Sequence, residues 1–418
     1  MPRICSNGPV PIVVQKFGGS SVADAEKIRR CAQRAFDARQ AGQDVVVVVS
    51  AMGKTTDGLI DLAHEISASP PRREMDQLLA AGEQVSIALA AMALQELGHE
   101  AVSLTGAQCG LRTDASFTSA RIKSIDRRQI ERHLEAGKIV VVAGFQGVED
   151  DGSTTTLGRG GSDTTAVALA AALEADVCEI CTDVRGVLTA DPRIVPDARL
   201  LPEISYEEMF ELAALGARVV APRAIFLGMK FAVPIHVRHA MLPDPGTMIV
   251  QETSTMEQNE VTGVALKNGV GRVTMQDLPL GNGIQATIFD ALAEAHLFVD
   301  DIIQNRIDDA RMSITFTADA ADLKDARAAL QPLVDRIGGR LRVDEALCRV
   351  SAVGVGMRTH SGVAARMFRA LEEAPGGPIT IENITTSEIK IACILAEADG
   401  PRAVRAVHDA FGLGQTAS

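Results

Sequence analysis

Short β-branched runs that end in small polar turns recur through the first half of this 418-residue chain, and they constrain its fold more than any other feature. Val13 to Lys16 runs into Phe17-Gly18-Gly19-Ser20-Ser21, and the run from Gln43 to Ser50, with five consecutive valines, into Ala51-Met52-Gly53-Lys54-Thr55-Thr56. Val102 to Leu104 precedes Thr105-Gly106-Ala107-Gln108, Ile139 to Phe145 precedes Gln146-Gly147, and Asp176 to Thr182 precedes Asp183-Val184-Arg185-Gly186. Apolar runs of this length read as strands buried on both faces, and the alanine-rich segments Glu74 to Leu94 and Val167 to Leu173 read as helices. The alternation predicts an α/β fold built on a doubly wound, open, mostly parallel sheet. Ligands of such sheets bind beyond the carboxyl ends of the strands, where the turns converge.

The turn with the strongest chemistry is Leu157-Gly158-Arg159-Gly160-Gly161-Ser162-Asp163-Thr164-Thr165-Ala166. Its glycines let backbone N–H groups crowd round an anion at the positive end of the following helix. Arg159 adds a fork suited to a carboxylate or phosphate. Ser162 and Asp163 stand where an N-cap is expected. Lys16, Thr55, Arg159, Asp163 and Asp183 are expected to share one cleft, and a lysine, aspartates and three glycine turns describe a nucleoside-triphosphate site. There Lys16 neutralises β/γ-phosphate charge and an aspartate holds Mg²⁺. A solvated strand-end lysine is the plainer reading of Lys16, and the adjoining Gly-Gly-Ser-Ser argues against it. Neither a P-loop nor the protein-kinase set of motifs is present. Glu83 is a carboxylate among apolar helix neighbours, costly to bury without a cation. A substrate ammonium supplies one, with Arg159 on the matching α-carboxylate; an internal ion pair is the alternative.

Composition narrows the partners. A formal net charge of −13, no Trp and a single Tyr argue against nucleic acid. Seven scattered cysteines fit reduced thiols, and the Cys178-x-x-Cys181 pair lies on a strand, where its side chains point to opposite faces. His236 and His239 are read the same way, as ordinary surface or core residues. Glu203, Glu207, Glu208 and Glu211 read as one solvated helix face. Met1 to Pro11 has no signal-peptide pattern and no apolar run approaches ~20 residues, so a cytoplasmic protein without a membrane span is expected.

Beyond Pro243-Asp244-Pro245-Gly246-Thr247 the character changes. Gln251 to Glu260 reads as a polar linker, and after it the pattern strand–turn–helix–strand–strand–helix occurs twice. Arg272-Val273 precedes Ile288 to Ala295 and a strand from Ile302; Arg349-Val350 precedes Met367 to Ala374 and a strand from Ile379. Two ferredoxin-like βαββαβ units are expected, at 263–340 and 345–418, after a catalytic domain at 1–250.

Four stretches carry a resemblance to the aspartate kinase family. They are Lys16 to Val22, Ser50-Ala51-Met52-Gly53, Gly158 to Thr165, and Thr189-Ala190-Asp191-Pro192-Arg193, and the C-terminal repeats resemble ACT domains. The resemblance implies the amino-acid kinase fold and ATP-dependent phosphorylation of the β-carboxylate of L-aspartate, with Mg²⁺, in the lysine, threonine and methionine branch. It implies that Lys16 and Gly18, Gly19 and Ser20 face the transferring phosphoryl group. Thr55, Glu83, Arg159 and Ser162 would hold aspartate, and Asp163 would order metal and nucleophile. Thr182, Asp183, Asp191 and Arg193 would line the nucleotide side. Gln304, Asn305, Thr386, Ser387 and Glu388 would belong to lysine or threonine effector sites, with homodimers or higher oligomers formed through the ACT domains. Leu188 replaces a frequent tyrosine, Ala221 a usual histidine and Ser361 a common proline. Leu280-Gly281-Asn282-Gly283 lacks the family's aspartate, so weakened or altered feedback is expected. Two alternatives stay open: another carboxylate kinase of the superfamily, and a non-catalytic ACT-type amino-acid-binding regulator.

Overall fold

A computed structural model describes residues 10–217, 219–253, 260–281 and 283–414. The chain divides into two units. Met1–Leu188, Leu200–Ala213 and Arg218–Ser254 form the first; Thr189–Arg199, Ala214–Ala217 and Thr255–Ser418 form the second.

The first unit contains, in chain order, β1 (Ile12–Phe17), α1 (Ala25–Gln40), β2 (Asp44–Val49), α2 (Thr55–Ile66), α3 (Arg72–Glu96), β3 (Ala101–Leu104), β4 (Leu111–Thr113), β5 (Ile122–Ile125), α4 (Arg128–Glu135), β6 (Ile139–Ala143), β7 (Gln146–Val148), β8 (Thr154–Thr156), α5 (Gly161–Ala172), β9 (Val177–Thr182), β10 (Glu203–Ser205), α6 (Tyr206–Ala214), α7 (Pro222–Phe231), β11 (Ile235–His239) and β12 (Thr247–Val250). Eight of the strands form one sheet in the order β10-β12-β11-β9-β1-β2-β6-β3, and β5-β4-β7-β8 form a smaller one. From β11 across to β3 the large sheet is parallel; β12 and β10 run the other way. The register sets Phe17 opposite both Val49 and Cys181, and Val49 opposite Ala143, so four strand ends stand in one row. The valines of β2 are buried as their sequence requires, Val45, Val47 and Val49 packing with Ile28, Cys31 and Ala35 of α1 and Ile87, Ala91 and Leu94 of α3.

Two expectations change here, those for the four glutamates and for the cap of α5. α3 is, by length and composition, apolar enough to cross a membrane, although no continuous apolar run of that length is visible in the sequence. Alanines among its polar residues raise its average, and its buried side belongs to the core just described. The four glutamates do not share a solvated face: Glu203 lies on β10, and Glu208 is buried, accepting hydrogen bonds from Ser205 N and Oγ at the start of α6. The residue that precedes α5 is Gly160, in the left-handed region at φ 68°, so neither Ser162 nor Asp163 caps that helix.

The second unit contains β13 (Gly263–Pro279), α8 (Ile284–Glu294), β14 (Asp300–Arg306), β15 (Arg311–Asp319), α9 (Leu323–Ile337), β16 (Arg340–Val353), α10 (Val363–Glu372), β17 (Asn383–Thr386), β18 (Lys390–Ala396) and α11 (Gly400–Ala410). Both repeats have the expected element order, and their strands join in a single sheet, β14-β15-β13-β16-β18-β17. β13 and β16 are long enough to serve both repeats. Gly263 to Lys267 pairs with Arg349 to Val353, whereas Val270 to Gln276 pairs with Arg340 to Leu347. A division at 340–345 therefore falls inside one strand, and the strand expected from Ile379 begins at Asn383. Arg349 is buried at the centre of this sheet at 4% exposure. Its guanidinium pairs with Asp300 at 2.7 Å and with Asp301, and donates to Thr317 Oγ1 at 2.9 Å. Asn282 and most of the expected linker, Met256 included, lie outside the described residues.

Candidate active site

The candidate site of the first unit sits at the row of strand ends, beside β1, where the chain has built β2, β3 and β6 on one side and then β9 and β11 on the other. Lys16, the penultimate residue of β1, meets Asp163 in the first turn of α5 at Nζ–Oδ1 2.6 Å, with both side chains largely buried. Asp163 is held from behind, its Oδ2 accepting the backbone N–H of Ala221 at 3.1 Å. Ala221 also lies against Gly160, where an added Cβ would collide with the alanine methyl, so the close approach needs glycine as well as its φ. An acid at this position is favoured by the helix dipole.

The two glycine turns are knitted together. Gly53 N donates to Gly19 O at 3.0 Å, and a Cβ on Gly19 would stand 2.8 Å from Ala51 O. Ser50 Oγ donates to Ser162 Oγ at 2.9 Å, joining the end of β2 to α5. Ala51 N donates to Glu83 Oε1 at 2.9 Å. Glu83 is 3% exposed, and its second oxygen, Oε2, is buried with no donor. Burial pushes its carboxyl up to about 7, with the Ala51 N–H opposing the rise. Among the described residues Glu83 forms no internal salt bridge, the alternative reading of this carboxylate.

Lys16, Gly19, Ser162, Asp163 and Glu83 are thus linked through one set of contacts, and Gly18 lies beside Lys16, where an added Cβ would stand 3.3 Å from Nζ. Thr55 opens α2 with its hydroxyl donating to Met52 O at 2.6 Å. Ser20 lies on the short 3₁₀ turn Gly19–Val22. Arg159 is exposed on the nest between β8 and α5. Thr182 ends β9 and donates to Asp183 Oδ1 at 3.1 Å. Asp191 and Arg193 belong to the segment that folds with the second unit, and pair with each other at 2.6 Å. Leu188 bridges Leu200. In the second unit, Gln304 and Asn305 lie on edge strand β14, and Thr386 ends the opposite edge strand, β17. Thr386, Ser387 and Glu388 border a cavity of about 580 Å³ with Met357, Arg358, His360 and Val363.

The remaining sequence candidates make no site. Cys178 and Cys181 are buried, and burial pushes the Cys181 thiol up to about 12. His236 Nε2 contacts Pro245 O, and His239 Nδ1 accepts from Met241 N and Leu242 N, so both organise backbone. Among the described residues no group of three or more His, Cys, Asp or Glu is arranged to hold a metal. What sequence reasoning missed are contacts: the backbone N–H groups of Ala51 and Ala221, which leave no side-chain signature, and the hydroxyl of Ser50.

Comparison with known proteins identifies the family. The amino acid kinase family model matches residues 11–239 and an ACT domain model matches residues 350–411. The aspartokinase of Mycolicibacterium smegmatis is 49% identical over 409 residues, 96% of each chain. The structure of E. coli aspartokinase III in complex with aspartate and ADP (R-state) matches with a TM-score of 0.82 at 27% identity, over 96% of this chain and 100% of that one. The same enzyme with lysine and aspartate (T-state) matches with a TM-score of 0.74 at 27% identity, over 96% and 99%. This chain belongs to the aspartokinases of the amino acid kinase family.

Proposed function

We infer that the chain transfers the γ-phosphoryl group of ATP to the β-carboxylate of L-aspartate, giving 4-phospho-L-aspartate. The observation that carries this reading is Glu83: a buried carboxylate with one oxygen unpartnered, tied through Ala51, Ser50 and Ser162 to the Lys16–Asp163 pair. A substrate ammonium fits such an oxygen, since it supplies both the missing donor and the missing charge. Arg159 takes the α-carboxylate, and Thr55 and Ser162 flank the substrate.

The reacting carboxylate, with an ordinary pKa of ~3.9, is already ionised and needs no general base. What it needs is approach to a phosphate that repels it. Lys16 and the N–H groups of Gly18, Gly19 and Ser20 offset that repulsion and stabilise charge on the transferring group. Thr182 and Asp183 line the nucleotide. Asp163 is the carboxylate best fitted to Mg²⁺: its Oδ1 is buried and faces only the Lys16 ammonium. Since the described residues offer no group of three or more His, Cys, Asp or Glu, the remaining ligands would be phosphate oxygens and water. When bound, the ion supplies charge neutralisation on the phosphates. The cavity at Thr386–Glu388 supports an amino-acid effector on the second unit, lysine or threonine, and the two repeats support assembly of two copies through that unit.

ADP release from MgATP, with the acyl phosphate trapped by hydroxylamine, tests the reaction. Hydroxamate that depends on L-aspartate is the expected result. Hydroxamate with glutamate or N-acetylglutamate but not aspartate, or none at all, would overturn it.

A further inference from the structure

Asp76 is a buried carboxylate that the reaction does not touch, yet it holds the loop on which Arg159 stands. It is 0% exposed, in the first turns of α3, and no salt bridge joins it to a cation among the described residues. Its oxygens instead accept four hydrogen bonds: from Thr118 N at 3.0 and 2.9 Å, Thr156 N at 2.8 Å and Thr156 Oγ1 at 2.6 Å. Thr118, a β-branched residue, is held at φ 70°, a conformation that persists only where neighbours enforce it. Its carbonyl oxygen lies 3.1 Å from where a Cβ on Gly158 would be. Thr156 is the last residue of β8, three before Arg159. Arg223 closes the other side, donating to Leu157 O at 3.0 Å and Ala120 O at 2.9 Å.

Asp76 and Glu83 are seven residues apart on α3, hence on the same face and about 10 Å apart along the axis. One end of that span presents the carboxylate assigned to the substrate ammonium. The other fixes the strand that leads into Arg159. We propose that Asp76 is a positioning residue for substrate specificity, which makes α3 a ruler setting the separation between the ammonium site at Glu83 and the α-carboxylate site at Arg159. This inference rests on the aspartate reading above. It needs both carboxylate oxygens of Asp76, because asparagine offers one acceptor where the carboxylate offers two and turns an N–H toward the N–H of Thr118 or Thr156.

The test uses the full chain and three small molecules. L-aspartate is the substrate; succinate, which lacks the ammonium, and β-alanine, which lacks the α-carboxylate, serve as competitors in the ADP-release assay. Asp76→Asn is expected to raise KM for L-aspartate and Ki for succinate together, by about tenfold, while Ki for β-alanine and KM for MgATP stay within about twofold. Thr156→Val, which removes one hydrogen bond and keeps the shape, shifts the same two constants by less and serves if Asp76→Asn does not fold. A merely structural role would move all four constants or lower kcat alone, and either result overturns the proposal. So do unchanged constants in both variants. Absence of aspartate turnover in the parent protein overturns the substrate reading and this inference with it, whereas turnover with an indifferent Asp76 overturns the inference alone.

Discussion

The strand ends of the first unit and the middle of the second unit's sheet both bury charge, but they treat it differently. At the strand ends Glu83 keeps one carboxylate oxygen without a donor, and burial drives its carboxyl toward neutrality. In the second unit Arg349 is as deeply buried, but two aspartates and a threonine meet the terminal nitrogens of its guanidinium, so its charge is countered although Nε has no partner. Burial pushes the Asp300 carboxyl up, and Arg349 outweighs that and holds it below its usual range. A buried charge with its partners supplied by the chain is architecture. One with neither a countercharge nor a full set of donors is a place for a ligand. Asp76 and Glu83 make the same contrast two turns apart on one helix, the first saturated and the second not.

The largest effect expected is on Lys16. Lys16→Ala should lower kcat by about 10³-fold or more with little change in KM for aspartate, because its charge acts on the transferring phosphoryl group. Steady-state kinetics in which only KM moves would remove Lys16 from that role and weaken the contrast at its catalytic end.

Arg349→Met tests the other end. Leaving Asp301 buried without its cation should cost about 3 kcal/mol of stability, read as a lower unfolding midpoint of the second unit, with kcat of the folded enzyme unchanged. A neutral outcome would mean that the pair is replaceable by packing.

Glu83→Gln should raise KM for L-aspartate about 100-fold and yet stabilise the free protein at pH 8. The folded carboxyl lies near 7 against an ordinary value of 4.5, so the folded state holds its proton more tightly than the unfolded chain. Stability from this group therefore falls as pH rises between those values, by roughly 3 kcal/mol in full, and the cost is complete above pH 7. Thermal denaturation of parent and variant should diverge between about pH 4.5 and 7, keep a constant difference above neutrality, and converge below about pH 4.5. By the same titration, kcat/KM for aspartate in the parent should fall as pH drops through about 7, since a protonated Glu83 cannot pair with an ammonium. A flat profile there would mean that the ammonium is held elsewhere.

The smallest effect expected is regulatory. With Leu280-Gly281-Asn282-Gly283 lacking an acid, lysine and threonine should inhibit weakly in a steady-state assay. Strong cooperative inhibition at sub-millimolar concentrations of either would sharpen the second unit into a working sensor.

Much of this was legible in the sequence, and the reason is local. Five consecutive valines bounded by polar turns can hardly be other than a buried parallel strand. Glycines before an alanine-rich helix mark a nest whatever the surroundings, so Lys16, Gly18, Gly19, Ser162 and Asp163 were named from spacing and family likeness together. Glu83 stood out because a carboxylate among alanines is expensive to bury. Other features required distant pieces of chain to meet. Ala221 holds Asp163 through a backbone N–H, 58 residues away in sequence. Glu208 reads as a surface acid until Ser205 turns beneath it. The boundary between the C-terminal repeats vanishes because two strands are long enough to belong to both. Asp76 has no signature at all, since its partners are two backbone N–H groups and one hydroxyl, 42 and 80 residues on. The sequence by itself determined which segments become strands, helices and anion-binding turns, because those depend on neighbours along the chain. Only the tertiary structure decided which buried charges are satisfied, because that depends on which donors the fold brings to them.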